Sequence, residues 1–377
     1  MSTHARLSPS AAFRWMSCTA APALEATMPD QTSAFAAEGT RAHALAEFYA
    51  RRACGLDPGQ KPKADDVEMI EAAGDYAQHV KETYLKAQET CADAVLETEQ
   101  RLDLSRWIPE GFGTADCLIV TDGALHVIDF KYGKGVPVSA EENKQMMIYA
   151  LGVLDWAELF FDIEEIEMTI IQPRLNSHSS WTIRADALED WGEKILAPIA
   201  RIAYAGDGTK YEPTEDNCRF CKAAGSCQAR ADYFVSLFDD NEGPGLLTSK
   251  EAGEILTRAA GMKAWLQALE ETVKAACLAG KELPGWKIVE GRTKRRYTDE
   301  DEIARRLRAK KFKVGDLYEK KLLGISKMEK LVGKKRLAEI CGDLIEKPQG
   351  APTLVPESDD RPRWDPEEKT IAAFDEE

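Results

Sequence analysis

An Asp-Gly pair between two apolar, β-branched runs constrains this chain more than any other feature. The segment reads Ala115-Asp116-Cys117-Leu118-Ile119-Val120-Thr121-Asp122-Gly123-Ala124-Leu125-His126-Val127-Ile128-Asp129-Phe130-Lys131. Such a pattern predicts a hairpin with a two-residue loop. With Asp122 and Gly123 as the turn, cross-strand partners have numbers summing to 245, and Asp116 and Asp129 satisfy that condition. Their Cβ atoms are then expected about 4.5–5.5 Å apart. Lys131, two residues beyond Asp129, shares their face.

Leu118, Val120, Leu125 and Val127 lie on the carboxylate face, and Ile119, Ile128 and Phe130 on the other. Apolar residues on both faces predict a central, mixed sheet flanked by helices, an α/β fold. Charges among apolar neighbours need a reason. Two carboxylates this close repel unless a cation sits between them, and a hard divalent ion with oxygen ligands fits. The bland alternative is a solvated hairpin face. Paired carboxylates, a divalent ion and a lysine are suited to cleaving a phosphodiester.

Around the hairpin, periodicity predicts helices over 33–52, bent or interrupted near Gly39, and over 65–91, with Val67, Ile70, Tyr76, Val80 and Tyr84 facing inward. A strand is expected within 94–104, and Ser139-Ala140-Glu141-Glu142 matches a capping box that starts a helix running to about Leu154. On it Gln145 and Tyr149 stand four apart and point the same way. A strand over 166–172, a polar loop over 176–180, a short strand over 181–184 and a helix over 186–205 follow. A turn-rich linker at 239–245 precedes a helix expected over 248–279, with Thr248 and Glu251 as its capping box. This reading divides the chain into an α/β domain over 1–238, a helical and basic module over 246–347 and an acidic, Pro-rich tail over 348–377.

The formal charge of −16 disfavours a nucleic-acid partner until its distribution is considered. Between Lys287 and Ile340 the net charge is +9, which leaves −25 on the remainder. The run Arg292-Thr293-Lys294-Arg295-Arg296-Tyr297 and the later Arg305, Arg306, Arg308, Lys310, Lys311 and Lys313 are candidate phosphate contacts, with Trp286 and Tyr297 as candidate base-stacking residues. An ordinary exposed basic face is the alternative. No apolar stretch reaches the roughly 18 residues of a membrane span, and no signal peptide is read at the N-terminus. The expectation is a cytoplasmic protein with no membrane partner.

Cys218-x2-Cys221-x5-Cys227 is a thiolate metal spacing that leaves one ligand missing, since tetrahedral zinc and a cubane cluster both take four. Cys54, Cys91, Cys277 and Cys341 read as isolated thiols, Cys117 as a small buried hydrophobe, and His126 as a core-packing residue.

The set Gly113-Thr114-Ala115-Asp116 … Asp129-Phe130-Lys131 resembles the active-site signature of the PD-(D/E)XK nuclease superfamily, and its RecB-like exonuclease branch in particular. Gln145-x3-Tyr149 resembles that branch's Gln-x3-Tyr motif, and His43 its upstream metal-binding histidine. Glu38-Gly39-Thr40-Arg41-Ala42-His43 with Ala46-Glu47 is similar to a phage-encoded group within it, composed mainly of domains of unknown function. The resemblance covers roughly residues 13–230, with Ala115 for the usual proline and Asp129 for the usual glutamate.

The resemblance implies a restriction-endonuclease-like core and a metal-dependent DNA nuclease that processes phage DNA ends. It implies Mg²⁺ or Mn²⁺ on Asp116, Asp129, His43 and the Phe130 carbonyl, with Lys131 acting on the water or the phosphate and Gln145 and Tyr149 orienting the strand or supporting the site. It also implies a [4Fe-4S] cluster on Cys18, Cys218, Cys221 and Cys227, with structural Zn²⁺ on the same four as the alternative. A phage recombinase or helicase is the partner such an enzyme would use. The rivals are a structure-selective endonuclease with the same site, a DNA- or partner-binding protein that no longer cuts, and a subunit whose cysteine site only holds the fold.

Overall fold

The structure is a computed structural model and describes residues 5–28, 34–63, 66–236, 248–259 and 261–285, with residues 305, 333 and 336. Helices α1 (Ala12–Ser17), α2 (Ala21–Glu25), α3 (Ala34–Ala53) and α4 (Val67–Thr90) precede a sheet of β1 (Val95–Asp103), β2 (Phe112–Val120), β3 (Gly123–Phe130), β4 (Ile163–Gln172) and β5 (Ser177–Arg184). Helix α5 (Lys144–Ala157) joins β3 to β4. Then come α6 (Ala185–Trp191), α7 (Ala197–Ala205), α8 (Glu215–Arg219), α9 (Gln228–Val235), α10 (Ser249–Arg258) and α11 (Met262–Leu278). The strands lie in sequence order. β3 and β4 run parallel, which requires a crossover such as α5, and the other neighbours are antiparallel.

The hairpin register is the expected one: Cys117 pairs with Ile128, Leu118 with Val127, Ile119 with His126 and Val120 with Leu125. The Thr121 N–H donates to the Ala124 carbonyl at 2.9 Å to close the turn. Gly123 sits there at φ 87°, a conformation that glycine reaches without a Cβ clash. The ladder stops at Cys117 and Ile128, one pair short of Asp116 and Asp129, so the strands part where the carboxylates begin.

The two faces of the sheet build two cores, as the alternation requires. Leu118, Val120, Leu125 and Val127 pack with Ile148 and Leu151 of α5. Ile119, Ile128 and Phe130 pack with Leu45 of α3 and Tyr76 and Val80 of α4. Strands β1 and β2 add a feature that periodicity does not foresee. Leu96 and Cys117 belong to the α3–α4 side, whereas Leu102 and Ala115 belong to the α5 side. Residues of equal parity share a face in a regular strand, so both strands exchange faces between these positions. Thr98 pairs with Cys117 and Gln100 with Ala115, but Glu99 and Asp116 between them are not paired. Glu99 takes φ 47°, a left-handed conformation that costs a non-glycine residue about 1–3 kcal/mol.

Several expected boundaries move. Helix α3 runs through Gly39 without a break. Val67 is 66% exposed, because it occupies the first turn of α4 immediately after its cap, Asp66. Helix α5 starts at Lys144 rather than near Ser139: the Asn143 side chain accepts from the Gln145 and Met146 N–H groups, while Ser139 Oγ only closes a local turn with the Glu141 N–H. The polar stretch 176–180 is mostly part of β5, an edge strand whose Ser180 hydroxyl meets Thr169 and whose Ser179 hydroxyl accepts from the Ala140 N–H. The helix expected over 186–205 contains a wider turn at Gly192–Leu196, ahead of Pro198, which has no N–H to continue a regular ladder. The helix expected over 248–279 is two, separated before Gly261 at φ 82°, though the Thr248–Glu251 capping box forms as expected.

The chain divides into compact units, Met1–Pro284 and Gly285–Glu377. The compositional boundary at 239–245 falls within the first. Trp286, the run 292–297, most of the later basic residues, Cys341 and the tail 348–377 lie outside the described residues. Among the described residues, no helix is long and apolar enough to cross a membrane.

Candidate active site

Helices on opposite faces of the sheet each deliver a side chain to the point where β2 and β3 part. Ala42, Leu45 and Ala46 bury one side of α3, which sets His43 beside β2. Its ring meets the Phe130 ring edge-on at 5.5 Å between centroids. On the other face, the Asn143 cap fixes the first turn of α5 and with it Gln145, one turn before Tyr149. Gly113 leaves room for that tyrosine. A Cβ there would lie 2.8 Å from Tyr149 Cε1 and 2.9 Å from Pro9 Cγ, so the small residue of the Gly113–Asp116 motif is a packing requirement.

The polar contacts form two linked groups. Asp116 Oδ1 lies 3.2 Å from His43 Nδ1, and Asp116 Oδ2 accepts from the Phe130 N–H at 2.7 Å. Lys131 Nζ stands 3.2 and 3.0 Å from the two oxygens of Asp129 and donates to Gln145 Oε1 at 3.0 Å. Gln145 Nε2 reaches Asp129 Oδ1 and the Tyr149 hydroxyl, each at 3.2 Å. Asp129 is 2% exposed, and its Oδ2, despite the nearby Nζ, accepts no hydrogen bond.

Electrostatics divide the carboxylates. Burial works against the charge on Asp116, but His43, Lys131 and the Phe130 N–H outweigh it and hold the carboxyl below its usual range. Burial dominates at Asp129, where Lys131 offsets only part of it, and this carboxyl is raised. Burial disfavours the imidazolium of His43 too, yet the Asp116 carboxylate raises it overall. Lys131 likewise stays charged against burial because Asp129 and Asp116 stabilise its ammonium.

Sequence reasoning missed Glu99. Although Glu99 is exposed at its outer edge, the partial burial of its carboxyl, and then the Asp116 charge, push it up to about 7. Ligand atoms of His43, Glu99 and Asp116 all lie within 4.8 Å of one another, the one such group among the described residues. Its place opposite Asp116 follows from the β1–β2 register. The connection between those strands, 104–111, carries no tight-turn signature that would have fixed that register in advance. An imidazole nitrogen with carboxylate oxygens, beside a buried carboxylate oxygen that accepts no hydrogen bond, fits a hard divalent ion.

All the expected polar side chains therefore converge: His43, Asp116, Asp129, Lys131, Gln145 and Tyr149. Phe130 enters through its N–H, whereas its carbonyl was the expected ligand. His126 is no apolar core residue, since its Nδ1 lies 2.9 Å from Glu167 Oε2, its neighbour across the parallel ladder. Cys117 is fully buried, as expected of a small hydrophobe.

Cys18, Cys218, Cys221 and Cys227 line one small pocket. Cys18 ends α1, Cys218 lies in α8, and Cys227 caps the N-terminus of α9. The N-terminal arm is tied to this region by the Ala20 N–H to the Lys210 carbonyl at 3.2 Å and the Lys210 N–H to Thr19 Oγ1 at 2.7 Å. Burial raises the Cys218 thiol and pushes Cys221 up to about 12. The four cysteines thus share one pocket lining, but no three of their sulfurs come within 4.8 Å of one another, so they are not closed around a single ion.

The molecule is thus a mixed α/β protein whose five-stranded sheet, covered by helices, carries a clustered His/Glu/Asp site. The chain belongs to the DUF2800 family, described as proteins of unknown function, whose family model matches residues 4–362. Among solved structures, the crystal structure of SSO0001 is similar at 15% identity, covering 50% of this chain and 85% of that one, with a TM-score of 0.23.

Proposed function

We propose that this protein is a metal-dependent deoxyribonuclease of the RecB-like PD-(D/E)XK kind, acting as an exonuclease on DNA ends. The observation that carries the reading is Lys131 Nζ, held between Asp129 and Gln145 next to the half-buried Asp116–His43 pair. A lysine of this kind, pinned in a site rich in carboxylates, is placed to act on a phosphate or on an attacking water.

His43, Asp116 and Asp129 would hold Mg²⁺ or Mn²⁺. A divalent ion there supplies Lewis acidity toward a phosphoryl oxygen and lowers the pKa of a bound water. Lys131 keeps its proton through the charge of Asp129 and presents it toward the scissile group. Gln145 fixes the lysine, and Tyr149, seated against Gly113, fixes Gln145. Cys18, Cys218, Cys221 and Cys227 would hold a [4Fe-4S] cluster, or a structural Zn²⁺ in its place, and so staple the N-terminal arm to the end of the α/β unit. DNA is the partner, with a phage recombinase or helicase as the assembly in which end digestion is used. The +9 stretch from Lys287 to Ile340 supports contact with phosphates.

The test compares wild type with Asp116→Ala and Lys131→Ala on end-labelled single- and double-stranded DNA in Mg²⁺, Mn²⁺ and chelator. The reading requires a stepwise product ladder that chelator and both substitutions abolish. Intact substrate with folded, metal-loaded wild type would instead favour a DNA-binding protein that does not cut.

A further inference from the structure

Strand β1 carries the least expected member of the site. Position 99 is where β1 and β2 exchange faces, and there the Glu99–Asp116 pair drops out of the ladder. The left-handed backbone of Glu99 turns its carboxylate to the same point as His43 and Asp116, with ligand atoms of all three within 4.8 Å. A second observation points to a cation at that place. Asp129, 2% exposed, keeps a buried Oδ2 whose one cationic neighbour is Lys131 Nζ at 3.0 Å, outside hydrogen-bond alignment, and its charge is felt by both His43 and Glu99. Among the described residues, Lys131 and His43 are the cations whose charge acts on these three carboxylates. Among the described residues, no lysine or arginine forms an ion pair with Glu99 or Asp116. Glu99 is also the most solvent-facing of the group, so the cluster opens outward at its side chain.

We propose that Glu99 is a direct ligand of the divalent ion held by His43 and Asp116, making the centre a histidine-and-carboxylate cage drawn from α3, β1 and β2. The proposal rests on the reading of this site as a metal-dependent centre. It assigns a purpose to the irregular backbone: a regular β1 would pair Glu99 with Asp116 through the main chain and turn the carboxylate along the strand's normal alternation. The extra oxygen ligand suits Mn²⁺ and Mg²⁺, which take several oxygens.

The experiment is a Mn²⁺ titration of the full chain followed by the loss of the free-ion electron paramagnetic resonance signal, which does not depend on DNA cleavage. Wild type, Glu99→Gln, Glu99→Gly, Asp116→Asn and the neighbouring control Glu97→Gln are compared. Glycine accepts the left-handed backbone at position 99, so Glu99→Gly removes the carboxylate without backbone strain. Loss of the ligand is expected to weaken Mn²⁺ about tenfold or more in both position-99 variants, with Glu97→Gln unchanged and Asp116→Asn at least as damaging. If wild type binds Mn²⁺ and both position-99 variants bind it equally well, Glu99 is no ligand while the metal centre stands. If wild type itself binds no Mn²⁺, the metal reading of the whole site falls.

Discussion

Replacing Lys131 with methionine tests the electrostatic logic of the site, because it keeps an unbranched apolar stem while removing the ammonium charge and its hydrogen bonds to Asp129 and Gln145. Lys131 Nζ is 3.0 Å from Asp129 Oδ2 and 3.2 Å from Oδ1. At an effective dielectric constant of about 20, one such contact is worth about 5 kcal/mol of attraction. Gln145 still donates to Oδ1 in the variant, so the net loss at neutral pH is about 3–5 kcal/mol, the usual result of stripping one partner from a buried pair. The loss depends on pH, and its sign follows from Asp129. Its carboxyl is already raised by burial, and it rises further without Lys131. A carboxyl raised in the folded state binds its proton more tightly there than in the unfolded chain. Stability relative to wild type is therefore best below the unfolded value of about 3.9 and falls as pH climbs through the folded value. Urea unfolding of both proteins in chelator, near pH 4 and near pH 7, measures this directly. Lys131→Met should approach wild type at the lower pH and fall clearly below it at the higher one. Equal stability at pH 7, or the same deficit at both values, would refute the assignment of a buried, lysine-compensated Asp129.

Other outcomes follow from single contacts. Gly113→Ala forces a Cβ to within 2.8 Å of the Tyr149 ring and 2.9 Å of Pro9, and should cost about 1–3 kcal/mol in unfolding experiments, with Tyr149→Ala relieving part of it. Mn²⁺ affinity should rise with pH through about 7, where Glu99 loses its proton, because protons compete with the ion below that point and the raised His43 adds to the competition; calorimetric titrations at acid and alkaline pH check it. Cys221→Ser should release the iron or zinc of the cysteine pocket and lower the melting temperature, and metal analysis of the wild type will distinguish cluster from zinc. DNA affinity should fall steeply with salt if the 287–340 stretch supplies phosphate contacts, and a flat salt dependence would remove that role.

Much of this arrangement was legible because short-range rules decide it. The Asp122-Gly123 turn fixes a two-residue loop, the loop fixes the register, and the register places Asp116 near Asp129. Alternation within the hairpin then separates the two cores, as Leu118 with Val127 and Ile119 with Ile128 show. What resisted reading lies where long-range contacts override local pattern. The exchange of faces at Glu99 depends on β1 pairing with β2 through a connection that fixes no register, so its ligand atom is invisible to periodicity. The start of α5 differs from the expectation because two cap signals lie within five residues, and Asn143 accepts from the first helical N–H groups while Ser139 closes a local turn. The first half of strand β5, Ser177-His178-Ser179-Ser180, lacks the β-branched and aromatic residues that mark strands, and it is held by β4 and by the hydroxyls of Ser179 and Ser180.

The most direct test of the central claim is the release of acid-soluble nucleotide from linear DNA in Mn²⁺, with wild type and Lys131→Met assayed side by side. The account predicts steady release by wild type that chelator stops and the substitution abolishes. Release that persists undiminished in Lys131→Met, or its absence from metal-loaded wild type, would contradict it.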